Sequence, residues 1–226
     1  SKLGDSIESR IADGSFLEAL DDINKSEAKL SDNERERMRI QVRLAWFKQH
    51  VAPLDAERKY AEALDVLAKA DAKLAEPAQI EHWKSEITDH WYAHAVELAE
   101  NGDSIRAARE FTTLLQNRGP YQRTVDLRSD ALDNAIKSGV AKLAEKPEET
   151  FAAMTEVVGI IDAAKPISIL PQDAERTRRR RALVAHARAA GRLSQWEHVK
   201  ADLKALGDQL ATREELALGR LLGLLA

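Results

Sequence analysis

The sequence predicts an all-α protein built of stacked helical hairpins, an α-solenoid with about five helix pairs. Three observations lead there. Ala, Leu, Glu, Lys and Arg dominate a 226-residue chain in which Gly (10) and Pro (6) are scarce. Such side chains lose little rotamer freedom in a helix, and few breakers interrupt it. Apolar residues recur at helical spacing from Ile7 to Leu225, and no segment alternates with the period of two that marks a half-buried strand. Finally, one local pattern returns at positions 14, 58 and 102, a step of 44 residues.

The pattern reads Gly14-Ser15-Phe16-Leu17-Glu18-Ala19-Leu20, then Arg58-Lys59-Tyr60-Ala61-Glu62-Ala63-Leu64, then Gly102-Asp103-Ser104-Ile105-Arg106-Ala107-Ala108. Each copy opens a helix, and the shared alanine is followed four places later by Ile23, Leu67 or Phe111. The next step lands on Lys146-Pro147-Glu148-Glu149, where proline suits a first helical turn and the acids suit its positive end. A final step reaches Gly191-Arg192-Leu193-Ser194-Gln195-Trp196, which keeps the spacing but not the residue pattern. Second helices of the hairpins are therefore expected near 14–26, 58–75, 102–117, 147–164 and 191–206, with a capping helix over 212–225, in a single domain spanning 1–226.

First helices fill the intervals. Asn33 to His50 carries Met38, Val42, Ala45 and Trp46; Pro77 to Glu100 carries Ile80, Trp83, Ile87, Trp91, Ala95 and Leu98. Tyr121 to Glu145 carries Val125, Leu132, Ile136, Val140 and Leu143, and Asp173 to Ala190 carries Leu183 and Val184. Turns are expected at Asn101-Gly102, Arg118-Gly119-Pro120, Ala190-Gly191 and Leu206-Gly207. Pro166-Ile167-Ser168-Ile169-Leu170-Pro171, bracketed by prolines, reads as a connector.

A glycine, an aromatic and an alanine opening the second helix resemble the tetratricopeptide repeat. Gly14, Phe16 and Ala19 occupy those places in the first unit, Tyr60 and Ala63 in the second, and Gly102 and Ala107 in the third, with Trp91 where the family's first helix often has tryptophan. The resemblance covers Gly14 to about Arg118 and implies a groove that receives peptides. The family's period is about 34 residues, so these pairs would be longer by about three turns. Armadillo and HEAT arrays come closer in period, but their markers are missing.

Composition narrows the function. Hydrophobic residues (44%) and charged residues (32%) are those of a chain that can bury a core. A net charge of −4 argues against a general nucleic-acid binder. With no cysteine there is neither a thiolate metal site nor a cysteine nucleophile. No apolar run reaches the roughly 18–20 residues that span a bilayer, and Ser1-Lys2-Leu3-Gly4-Asp5 lacks the order of a signal peptide. A cytoplasmic location is expected; a periplasmic one, or origin in a longer chain, is also compatible.

Candidate chemistry is sparse. His82, Glu86, His90 and His94 step by four along one helix, a spacing that can hold a metal. They flank the Trp83–Ile87–Trp91 stripe without a His-Glu-x-x-His motif, and half-buried packing accounts for them, so no metal or cofactor is expected. Arg176-Thr177-Arg178-Arg179-Arg180-Arg181 is the one charge run. Arg178, Arg179, Arg180 and Arg181 are candidate partner contacts, since guanidinium forks grip phosphate and carboxylate. Neighbours on a helix point about 100° apart, so some must instead pair with acids such as Asp173 and Glu175. Trp46, Trp83, Trp91 and Trp196 each lie on an apolar stripe and are expected in the core. No phosphate-cradling glycine loop and no Gly-x-Ser-x-Gly elbow occurs, and no enzyme is expected. The expected function is a protein-interaction scaffold that offers a helical-repeat groove to a partner's peptide or helix. The alternatives are an RNA- or anion-binding module using Arg176–Arg181 and a structural subunit of a larger assembly.

Overall fold

A computed structural model describes residues 2–26, 30–70, 72–118 and 121–207 of the chain. The expected capping helix over 212–225 lies outside the described residues. Among those described, every regular element is helical. The chain forms two compact units, residues 1–92 and 93–226, with the division falling inside one continuous helix.

The first unit contains α1 (Lys2–Ala12), α2 (Phe16–Lys25), α3 (Asp32–His50), the short α4 (Ala52–Ala56), α5 (Tyr60–Ala68) and the first part of α6 (Pro77–Glu100). α3 opens on a reciprocal cap. Ser31 Oγ accepts from the Glu34 amide at 3.4 Å, and Glu34 accepts from the Ser31 amide at 2.9 Å. Hydrogen bonds from Ser31 hold the Glu34 carboxyl below its ordinary value. Pro53 cannot donate to the preceding turn, so α3 stops and the chain re-enters helix at α4 after buried Val51. Aromatic rings fill the interior: Phe47 stacks on Trp83 at 4.6 Å between centroids, and Tyr60 on Trp91 at 5.6 Å.

The second unit contains the rest of α6, α7 (Ser104–Arg118), α8 (Gln122–Lys142), α9 (Pro147–Ala163), α10 (Gln172–Arg192) and α11 (Trp196–Leu206). Each helix from α7 onward packs on the next, while α7 also meets α9 and α8 also meets α10. The connector ahead of α10 anchors itself by burying Leu170 with Leu115, Val125 and Ala164. α8 and α9 approach closely at Gly139, where an added Cβ would lie 2.6 Å from Met154 Cε. Thr150 Oγ1 donates to the Gly139 carbonyl there at 2.9 Å.

The sequence repeat has a backbone counterpart. Gly14, Arg58, Gly102 and Ser194 all adopt positive φ, at 76°, 61°, 80° and 58°. At each, the amide of that residue donates to the carbonyl three residues back, and the following amide to the carbonyl five residues back. Ser15 to Arg10 (2.8 Å), Lys59 to Leu54 (2.8 Å), Asp103 to Leu98 (2.9 Å) and Gln195 to Ala190 (2.9 Å) are the longer bonds. This is the Schellman ending, which satisfies the last carbonyls of one helix and reverses the chain into the next. Ala19, Ala63 and Ala107 are each completely buried.

Two boundaries differ from expectation. The turn expected at Ala190-Gly191 falls later: Gly191 lies inside α10, and Ser194 takes the left-handed position. α5 ends at Ala68 rather than near 75, although Leu74 and Ala75 remain buried beyond it. Neither Lys69 nor Ala70 is a helix breaker, so tertiary burial has outweighed local propensity there.

Candidate functional site

Ion pairs set the geometry between α8 and α10. Arg128 of α8 is wholly buried, and its Nη1 donates to both carboxylate oxygens of Glu175 on α10 at 3.0 Å. Its Nε donates to Thr112 Oγ1 at 2.7 Å, while Nη2 has no hydrogen-bond partner. Glu175 also accepts from Arg178 Nη1 at 3.1 Å. Arg178 and Arg181 both donate to Asp133 of α8, at 3.2 and 3.0 Å.

The arginine run is thus divided among several helices. Arg178 is buried enough that only 13% of its side chain is exposed. Arg179 turns to Asp162 on α9, at 2.7 and 3.2 Å. Burial alone would raise the Asp162 carboxyl, but hydrogen bonds from Arg179 and Lys165, together with their charges, hold it below the ordinary aspartate value. Arg180 is half-buried and makes interactions of its own. Arg181 is about half exposed, at 51%. The pairing with Glu175 follows from sequence proximity; the pairings with Asp133 and Asp162 arise only from the fold.

These links bring together two side-chain stripes. Ile136, Val140 and Leu143 at i, i+4, i+7 run along α8 and its C-terminal cap, and Arg181, Val184 and Arg188 at i, i+3, i+7 run along α10. Between them lies an open groove with an apolar floor, and Lys137 completes its rim. Val125, Leu132 and Ile136 of the same α8 stripe are buried, but Val140 is 47% exposed. The lining includes Lys137, Arg181 and Arg188 and no carboxylate; Arg181 pairs with Asp133 outside the lining, and Arg188 makes interactions of its own.

The first unit has its own groove, between α3 and α6. Ile40 and Leu44, exposed by 54% and 42%, border Trp83. Its charge is the reverse: Glu36 and Glu76 flank Arg43, which pairs with both at 3.9 and 3.1 Å.

The α6 histidines are engaged separately. His90 Nδ1 lies 2.8 Å from Asp55, His82 lies 3.5 Å from Glu86, and His94 lies 3.6 Å from Glu97. Among the described residues, no three histidine or carboxylate side chains come together as metal ligands. Of the tryptophans, Trp46, Trp83 and Trp91 are buried, but Trp196 is 44% exposed. It opens α11, the last described helix, and no later described helix covers it.

A further cluster was not signalled by the sequence. His186 Nδ1 lies 2.6 Å from Asp202, its Nε2 lies 3.0 Å from Thr155 Oγ1, and Phe151 stacks on its ring at 4.1 Å. The order of hydroxyl, imidazole and carboxylate matches that of hydrolase triads. Here, however, Thr155 Oγ1 donates to the Phe151 carbonyl at 2.9 Å. These contacts tie α9, α10 and α11 together.

Sequence reading also missed Lys137 and Arg188, and placed Val140 in the core. The usable signal was that Val140 lies between Lys137 and Lys142 near the end of its helix, where apolar positions thin out. Among the described residues no helix is long and apolar enough to cross a membrane. No family model, curated protein or solved structure matches the chain.

Proposed function

We propose that this protein is an interaction scaffold of the α-solenoid, tetratricopeptide-like kind, whose grooves between first helices receive a helix or peptide of a protein partner. The supporting observation is the placement of exposed apolar side chains. Ile40, Leu44 and Val140 are not scattered; each lines a groove with an apolar floor and a charged rim. Single exposed apolar residues are ordinary, whereas apolar floors framed by charge are what recognition surfaces use. The arginine run contributes indirectly, by holding α8 and α10 at the spacing that opens the groove.

The test is affinity capture from the native host with three baits: the unaltered chain, Ile40→Asp and Val140→Asp. A partner retained by the unaltered chain should be lost from one of the two variants, each first shown to keep its helical content. If both variants retain every partner, these grooves are not the interaction surface.

A further inference from the structure

We propose that Asn101-Gly102, the turn between α6 and α7 in the second unit, is a site of spontaneous covalent modification, where water replaces the Asn101 side-chain amide and leaves aspartate and isoaspartate. The nucleophile is the Gly102 backbone nitrogen, which bonds to Asn101 Cγ and closes a succinimide ring. The bond from Cγ to Nδ2 breaks, and Nδ2 leaves as ammonia with the proton that the Gly102 nitrogen gives up. Water then opens the ring. Cleavage between Cγ and the Gly102 nitrogen gives aspartate, and cleavage at the Asn101 main-chain carbonyl gives isoaspartate, whose main chain runs through Cβ.

Three observations set this asparagine apart. Asn101 and Gly102 are both exposed, and a Cβ added at Gly102 would meet nothing within 4 Å, so ring and water have room. Gly102 has no side chain to crowd its nitrogen, and at φ 80° it forms the left-handed ending of α6, outside regular helix. Among the described residues, the Asn101 side chain has no hydrogen-bond partner. The other asparagines differ. Asn24 accepts from Arg39 at 2.7 Å, and Asn117 donates to the Thr113 carbonyl at 2.8 Å. Asn33 and Asn134 lie within α3 and α8, each followed in regular helix by a residue that bears a side chain.

The turn also gates the step. The Gly102 amide donates to the Ala99 carbonyl at 3.1 Å, and the Asp103 amide to the Leu98 carbonyl at 2.9 Å. A peptide nitrogen's lone pair is delocalised into its carbonyl, so it attacks only after losing its proton, and here that proton is tied to Ala99. Modification therefore proceeds from the locally opened turn and quickens as pH rises. Its products then hold the turn open. Isoaspartate lengthens the main chain by a carbon just ahead of Gly102, so the bonds to Ala99 and Leu98 no longer both form. Either product also adds a carboxylate at the negative end of α6, beside exposed Glu97 and Glu100.

The test holds the full chain at mildly alkaline pH and maps its peptides by mass spectrometry, with fragmentation that tells isoaspartate from aspartate. The Asn101 peptide should convert to both products, faster in urea, while those of Asn33 and Asn134 stay unchanged. Asn101→Gln should abolish the conversion, because the larger ring it would need closes far more slowly. Gly102→Ala strains the folded turn, so it is compared with the unaltered chain in urea, where its side chain should slow conversion severalfold. Hydrogen exchange of the isoaspartyl chain should lose protection at Gly102 and Asp103. Asn101→Asp, which adds the charge without lengthening the main chain, should keep most of it. A folded turn that stays unmodified while the urea-unfolded chain converts would overturn the proposal. So would equal conversion at Asn33 or Asn134, or aspartate formed without isoaspartate, since direct hydrolysis bypasses the ring.

Discussion

The two units reach stability by different means. In residues 1–92 the interior is aromatic: Trp46, Trp83, Trp91, Phe16 and Tyr60 are all buried, and rings contact rings. In residues 93–226 most of the core is aliphatic and alanine-rich, with Ala182, Ala185, Ala187, Ala189 and Ala190 buried along α10. Large rings fill much of the space between helices with few residues. Alanine lets helices approach, and at that range buried polar groups must be paired or they cost stability. The second unit accordingly carries Arg128–Glu175 and His186–Asp202 in its interior. One unit depends on volume, the other on matched charge.

That difference is sharpest in truncation experiments. Trp91→Ala in the first unit should cost about 3–5 kcal/mol through lost transfer energy and a cavity. Glu175→Ala should cost a similar amount, about 3–5 kcal/mol, because it leaves Arg128 buried and uncompensated. The two losses should part on rescue. Adding Arg128→Met to Glu175→Leu removes both charges and should recover most of the stability in urea denaturation. A Glu175→Ala cost below about 1 kcal/mol, the value of a surface pair, would break the comparison.

Overpacking comes next. Ala63→Leu should cost about 1–3 kcal/mol, since the site has no spare volume. Exposed Ala72→Leu should cost less than about 0.5 kcal/mol. Equal stabilities for the two would mean that alanine burial is not what spaces the first unit's helices.

Smaller effects fall at the turns. Arg58 and Ser194 hold a left-handed conformation that costs a side-chain-bearing residue about 1–2 kcal/mol, partly offset in glycine by its greater unfolded-state freedom. Arg58→Gly and Ser194→Gly should each gain up to about 1 kcal/mol, measured by thermal denaturation. A loss at either would show that the side chain contributes more than the backbone strain removes.

The smallest effect is acid sensitivity of the second unit. The Asp162 carboxyl is held below its ordinary value in the folded chain, so its contribution is present above the unfolded value near 3.9. It is lost as pH falls through the lower folded value. Asp162→Asn should flatten that acid limb of the stability curve and change stability at neutral pH by no more than about 1 kcal/mol. An unchanged acid limb would mean that Arg179 and Lys165 gain nothing from this carboxylate.

Helical content and the left-handed turns at 14 and 102 were legible in the sequence, because each is a local property. Glycine, apolar spacing and alanine constrain the residues around them whatever the rest of the chain does. At Arg58 the repeat register predicted a turn that the residue type alone would have hidden. Ser194 was misread for the opposite reason, since Gly191 nearby carried the stronger local signal although a glycine is tolerated within a last helical turn. The candidate site was not legible. Arg178 and Arg181 reach Asp133, and Arg179 reaches Asp162, across separations that no helical periodicity describes. Whether Val140 is core or groove depends on where α10 ends its contact with α8. A stripe states which side of a helix is apolar, but only the packed neighbour decides how much of that side is covered.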